Sequence, residues 1–222
     1  MNRQPIVSLE NVTKSYGGIN ALESANFELY PGEIHALAGE NGAGKSTLCK
    51  LIAGVISPSD GTVRINGEVV KLSAPKDASE RGISMVYQET SLVPQLTVAQ
   101  NMVLGREKTF NSVRKVRNAA RQVLQRLNFK VDPSQLAGSL STAKRQMVEI
   151  ARAVLNQAKV IIFDEPTAAL TPEETDHLFD LMKTLQAEGV AMIFISHALE
   201  EALNHSDRIS VLRNGKLVVT GN

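Results

Sequence analysis

Three glycines, a lysine and two hydroxyls stand together in Gly39-Glu40-Asn41-Gly42-Ala43-Gly44-Lys45-Ser46-Thr47, and their spacing fits the G-x-x-x-x-G-K-[ST] pattern of a phosphate cradle. A triphosphate needs many donors at close range. Gly39, Gly42 and Gly44 let the backbone turn tightly enough to aim its N–H groups inward, and a following helix adds its positive end. Lys45 is expected to reach the outer phosphates as a point charge, and the Ser46 hydroxyl to join the coordination of Mg2+. The whole loop, with Asn41, Ala43 and Thr47, is expected to line the nucleotide.

A second group of residues could act on that phosphate. Val160-Ile161-Ile162-Phe163 is an apolar run of the kind found in buried parallel strands, and it ends in Asp164-Glu165. An acid at that place suits the metal opposite Ser46. Glu165, next to it, could orient or deprotonate a water aimed at the terminal phosphate. Val190 to Ser196 is a similar run ending in His197, which could donate a hydrogen bond to the γ-phosphate and hold Glu165 and water in line. Blander roles stay open: a helix N-cap for Asp164, a solvated loop acid for Glu165, a satisfied polar group for His197.

The chain must carry elements that position these residues. Ile34 to Ala38 reads as the strand before the loop, and Leu48, Leu51, Ile52 and Val55 mark a helix after it. Ile6 to Glu10 and Ala21 to Tyr30 alternate as strands joined through Lys14-Ser15-Tyr16-Gly17-Gly18. Thr62 to Ile65 and Glu68 to Leu72 form a hairpin around Asn66-Gly67, and Ile83 to Tyr87 is a further strand. From Thr97 to about Gln157 helical periodicity takes over. There Val113, Val116, Ala120, Val123, Leu124 and Leu127 form an apolar stripe expected in the core, and Arg114, Arg117 and Arg121 a basic one expected in solvent. Pro172 to Ala187 has Pro at its start and Gly189 beyond its end, as a helix should. Ile209 to Arg213 and Lys216 to Thr220 close as a hairpin around Asn214-Gly215. The fold class is α/β: a P-loop NTPase core with a parallel sheet, an antiparallel β-subdomain and an inserted α-helical subdomain.

The bulk numbers restrict the partners. A formal net charge of +1 over 222 residues provides no overall field for nucleic acid or acidic lipid. The single cysteine, Cys49, offers no disulfide and is expected to pack as a small apolar residue. No run approaches the roughly 18 apolar residues of a spanning helix, and Met1 to Pro5 opens no signal peptide, so the chain is expected to be soluble by itself.

The phosphate loop, Gln88 at the end of its strand, Leu140-Ser141 opening a helix, Asp164-Glu165-Pro166-Thr167 and Ser196-His197 follow one another in the order and approximate spacing seen in ATP-binding cassette (ABC) ATPases, which the chain resembles over nearly its whole length. Ser91-Leu92-Val93-Pro94-Gln95-Leu96-Thr97-Val98-Ala99-Gln100-Asn101 and Leu104-Gly105-Arg106-Glu107 are similar to the first cassette of bacterial monosaccharide importers of the ribose, galactose and arabinose type. The resemblance implies an ATPase at the cytoplasmic face of the membrane, working with a second cassette, integral membrane permease subunits and, indirectly, a periplasmic sugar-binding protein. It implies a single nucleotide-binding domain, with residues 1–96 and 158–222 as catalytic core and 97–157 as helical signature subdomain. Such importers carry two cassettes in one chain, and this sequence stops near where a first cassette would end. By the same likeness Tyr16 stacks on adenine, unless it is only a turn tyrosine packed on its hairpin. Gln88 touches Mg2+ and water.

Two places depart from the family pattern. The usual Leu-Ser-Gly-Gly-Gln signature is Leu140-Ser141-Thr142-Ala143-Lys144 here, without either glycine. If one of those positions needs positive φ, a side chain there costs about 1–2 kcal/mol, with branched Thr142 the worse offender. Lys144 could restore some attraction by its charge. After Thr167 the chain reads Ala168-Ala169-Leu170-Thr171, lacking the aspartate that would contact an opposing cassette, although the importer subfamily tolerates threonine there. The departures predict that the site on Lys45, Glu165 and His197 is catalytic when a better signature from a partner completes it. A soluble ABC ATPase acting on ribosomes or DNA through the arginine face, and a nucleotide-sensing module with weak hydrolysis, are the alternatives.

Overall fold

The computed structural model describes residues 4–87, 91–105 and 112–221. Gln88, Arg106 and Glu107 therefore lie outside the described residues. The chain folds into two sheets and seven α-helices among the described residues. The first sheet is antiparallel, in the order β2 (Ile19–Leu29), β1 (Val7–Tyr16), β4 (Asp60–Ile65), β5 (Glu68–Val70). β1 runs on through Tyr16, so only Gly17 and Gly18 make the turn, and both have positive φ.

The second sheet orders β10 (Lys216–Gly221), β9 (Arg208–Arg213), β3 (Ile34–Ala38), β8 (Ala191–Ile195), β7 (Val160–Phe163) and β6 (Ile83–Val86). All are parallel to their neighbours except β10, which returns antiparallel on β9. β3, β8 and β7 are adjacent, so the segments that leave their carboxyl ends are adjacent too. In an open α/β sheet that edge is where ligands sit.

β7 and β8 read as unbroken apolar runs because both faces are covered. Ile161, Phe163, Met192 and Phe194 point into one core with the helices α3 (Val98–Val103), α4 (Val113–Arg126), α5 (Thr142–Leu155) and α6 (Pro172–Ala187). Val160, Ile162, Ile193 and Ile195 point the other way, into a core shared with α1 (Lys45–Ile52) and the antiparallel sheet. The buried His35 of β3 satisfies both ring nitrogens, with Glu33 at 2.8 Å and with Ser210 of β9 at 2.8 Å, so a polar side chain sits in the sheet without an unpaired group.

Two expectations are corrected. Val113 is 77% exposed: it is the first residue of α4, and only from Val116 onward does the stripe meet the core. Val55 lies beyond α1, whose last residue is Ile52. The structure adds two short helices, α2 (Pro75–Glu80) and α7 (Leu199–His205), to the elements read from the sequence. α2 is begun by Asp77, whose Oδ2 accepts from the backbone N–H of Ser73 and Ala74 at 2.8 and 3.1 Å. Arg114, Arg117 and Arg121 are exposed, as expected.

Candidate functional site

β3 delivers the chain to the loop Gly39 to Gly44, and α1 begins at Lys45. Gly39, Gly42 and Gly44 have φ of 143°, 80° and 108°. Two of them are also fixed by space: a Cβ on Gly39 would lie 2.3 Å from the Leu212 carbonyl oxygen, and one on Gly44 would lie 2.7 Å from that of Ala21. The loop is thus wedged between β9 and β2, which holds it open toward the sheet's carboxyl edge. No side chain caps α1, whose first N–H groups and dipole remain available to an anion.

Lys45 is buried and its Nζ donates to the carbonyls of Gly39 at 2.6 Å and Glu40 at 3.0 Å. Burial lowers its pKa, and the carboxylates of Glu165 and Asp164 partly offset that. Ser46, the next residue, donates from Oγ to Asp164 Oδ1 at 3.2 Å, joining the start of α1 to the end of β7. Burial pushes the Asp164 carboxyl above its ordinary value, against the lowering effect of the Ser46 hydrogen bond. A hydroxyl and a carboxylate held together beside a phosphate loop are hard oxygen donors, the set that suits Mg2+ when phosphates complete it. Among the described residues no three His, Cys, Asp or Glu side chains gather into a metal cage, and a cation completed by phosphates requires none.

The raised Asp164 pKa yields a prediction. A carboxyl whose folded pKa lies above its unfolded one favours folding most when protonated; its contribution is lost as pH rises from the ordinary carboxylate value through the raised one. At neutral pH the ionised group weighs against folding. Asp164→Asn should therefore raise the thermal midpoint at neutral pH. The acid-range pH dependence should flatten. A scanning calorimetry series from pH 4 to 8 checks both, and a lower midpoint for the variant at pH 7 would contradict the assignment.

Glu165 follows with φ 51°, a left-handed conformation that non-glycine residues avoid and that costs on the order of 1–3 kcal/mol. Its Oε1 lies 2.6 Å from Nε2 of His197, which follows β8; with the carboxylate ionised, Nε2–H is the donor. The imidazole fixes where the carboxylate points.

The structure thus brings Lys45, Ser46, Asp164, Glu165 and His197 to one edge, as their positions in the sequence predict. Tyr16 ends β1 on the neighbouring hairpin, 51% exposed, with Lys14 Nζ 5.1 Å from its ring centre. Ser141 to Lys144 instead open α5. Ser141 is the N-cap, accepting from the Lys144 N–H at 3.4 Å, Thr142 and Lys144 are exposed, and Ala143 is buried. Neither Thr142 nor Ala143 has positive φ, so the expected strain of losing the signature glycines is not incurred. Thr171 serves as N-cap of α6, accepting from Glu174 N–H at 3.3 Å. Sequence reasoning missed Gln146, whose Nε2 donates to the Pro166 carbonyl at 2.7 Å and ties α5 to the segment after Glu165.

Residues 22–168 match the family model described as ABC transporter. The chain belongs to the ABC transporter family. Its relatives include a ribose import ATP-binding protein of Geobacillus kaustophilus, 45% identical over 97% of this chain and 44% of that one. Another, from Rhizobium meliloti, is 45% identical over 97% of this chain and 43% of the relative. The chain spans less than half the length of these curated relatives. Among solved structures, this ABC protein superposes on a nucleotide-free ATP-binding cassette with a TM-score of 0.87 at 26% identity, covering 98% of this chain and 91% of that one. A dimeric cassette bound to ADP and Pi gives 0.85 at 28% identity, over 97% of this chain and 98% of that one. The P-loop NTPase fold inferred from the sequence is the fold of these cassettes.

Proposed function

We propose that this chain binds and hydrolyses ATP to power an ABC importer for a monosaccharide. The observation that carries the reading is the convergence of Lys45, the Ser46–Asp164 pair and the Glu165–His197 pair at the carboxyl ends of β3, β7 and β8. A phosphate group has a cation, a loop of N–H donors and a base within one edge; sugar import is supported by the likeness to ribose import ATP-binding proteins.

Ser46 and Asp164 would hold Mg2+, with Gln88 as the further ligand that the family likeness implies. When bound, the ion neutralises charge on the phosphates and helps orient the terminal one. The chain's own residues do the rest. Lys45 exchanges the carbonyls of Gly39 and Glu40 for phosphate oxygens, Tyr16 stacks on adenine, and Glu165 takes a proton from the attacking water. His197 keeps that carboxylate in place and faces the γ-phosphate.

Completion of the site requires a second cassette, whose Ser141-type N-cap and following N–H groups cover the γ-phosphate. The unstrained start of α5 supports a working cap in this chain despite Thr142, Ala143 and Lys144. Residues 97–157 move as a unit against 1–96 and 158–222 and pass the motion to membrane permease subunits, with a periplasmic sugar-binding protein acting through them. The chain therefore works at the cytoplasmic face of the membrane, and none of its described helices is long and apolar enough to cross it. Sedimentation of the Glu165→Gln chain tests the pairing: Mg·ATP should convert monomer to dimer, and EDTA should reverse it. A monomer that binds ATP tightly at every chain concentration would overturn the cap.

A further inference from the structure

Glu201 sits on α7 and has no place in the chemistry described so far. Its Oε2 accepts from two hydroxyls: Ser196 Oγ at 2.6 Å and Thr167 Oγ1 at 3.1 Å. Ser196 is the buried residue that ends the β8 run, just before His197, and its oxygen in turn accepts from the Ala198 N–H at 3.0 Å. Thr167 lies just past Glu165 and Pro166. One carboxylate oxygen therefore ties together the two segments that carry the Glu165–His197 pair. The direct contact between that pair, 2.6 Å, runs beside this second bridge.

The bridge matters because of the backbone. Glu165 is held in the left-handed region, and a strained residue persists only where its surroundings over-determine it. Asp164 N–H donates to the Val86 carbonyl on one side, at 3.1 Å. On the other side the chain is held by Gln146 at the Pro166 carbonyl and by Glu201 at Thr167. The Gln146 bond comes from α5, whereas the Glu201 bond comes from the helix that directly follows His197. Glu201 thus adds a second link between the segment of the base and that of its imidazole, beside their direct contact.

We infer that Glu201 is a positioning residue: by clamping Thr167 to Ser196 it sets the distance and angle between the Glu165 carboxylate and His197. The inference rests on the hydrolytic reading for its kinetic consequence and on geometry alone for its structural one. Removing the clamp leaves the phosphate loop intact, so nucleotide binding is untouched while the base loses its aim. A small misplacement of a catalytic group is enough to cost a large factor in rate.

The test compares Glu201→Ala with Glu201→Gln in the full 222-residue chain. The glutamine oxygen still accepts from both hydroxyls, and the alanine cannot. Glu201→Ala should lower kcat at least roughly tenfold with KM and ATP affinity changed less than about twofold, and Glu201→Gln should recover kcat to within about threefold of the parent. Thr167→Val removes the bridge from the other side at nearly constant shape. It should reproduce the loss, and the double variant Thr167→Val/Glu201→Ala should lose no more than Glu201→Ala alone. Amide exchange of residues 167–170 and 196–198, followed without nucleotide, should quicken in Glu201→Ala and not in Glu201→Gln. That readout separates the two claims. Quickened exchange in a chain that does not hydrolyse ATP would overturn the proposed function and leave the clamp standing. Unchanged exchange, full kcat in Glu201→Ala, or equal loss in the alanine and glutamine variants would overturn the clamp.

Discussion

Glu165→Gln should bind Mg·ATP as tightly as the parent chain and hydrolyse it roughly 10²- to 10⁴-fold more slowly, the range that a positioned general base contributes. The substitution keeps the shape, and its amide oxygen can still accept from His197 Nε2 at the observed 2.6 Å. What it removes is the ability to take a proton. Binding should survive because the phosphate contacts come from the loop and from Lys45, which lie on a different strand end from Glu165. Steady-state phosphate release, with ATP affinity measured in parallel, distinguishes the outcomes. A matched loss of affinity would mean that Glu165 holds the nucleotide rather than the water. Unchanged turnover would remove it from the chemistry, and the left-handed φ of 51° would then have no functional purpose.

Lys45→Ala should do the opposite and act on affinity first. The ammonium is already desolvated and donates to two loop carbonyls, so it can transfer those donors to phosphate oxygens without first shedding a full water shell. A hydrogen bond to a charged group contributes about 1.5–3 kcal/mol. Loss of one such bond weakens ATP by roughly ten- to a hundredfold, and loss of two by more. The effect should be specific to the phosphates: adenosine, which has none, should bind parent and variant alike. Calorimetric titrations with ATP and with adenosine check this, and a thermal melt of the free variant establishes that the loop has not collapsed around the carbonyls of Gly39 and Glu40. Equal weakening of ATP and adenosine would point to a general loss of structure.

The residues that could be read from the sequence are those whose role is local. The phosphate loop is legible because a tight turn between a strand and a helix constrains consecutive residues, and the structure adds only the reason: a Cβ at Gly39 or Gly44 would strike the backbone of Leu212 or Ala21. Asp164 and His197 are legible because a buried apolar run that ends in a polar residue marks a strand's carboxyl end. The two-faced burial of β7 and β8, with alternate residues sent to different cores, is the physical origin of those runs. Glu201 and Gln146 could not be found this way. The contacts that give them a role, Glu201 to Thr167 and Gln146 to Pro166, span 34 and 20 residues along the chain, and nothing in their neighbourhood announces a distant hydroxyl or carbonyl. α7 is hard to read for another reason: Leu199, Ala202 and Leu203 have helical spacing, but seven residues are too short a window to set a period, and only Ala202 is buried. The signature shows the converse. Loss of its glycines suggests backbone strain from sequence alone, whereas a helix starting at Thr142 needs no positive φ there.

The most direct test of the site as a whole is phosphate release from Mg·ATP by the parent chain over a range of chain concentrations. Release should rise more steeply than in proportion to concentration, because two cassettes must meet. It should stop on addition of EDTA and be lost in Glu165→Gln. Bound Mg·ATP that yields no phosphate at any concentration, or release that persists at the parent rate in Glu165→Gln, would contradict the account.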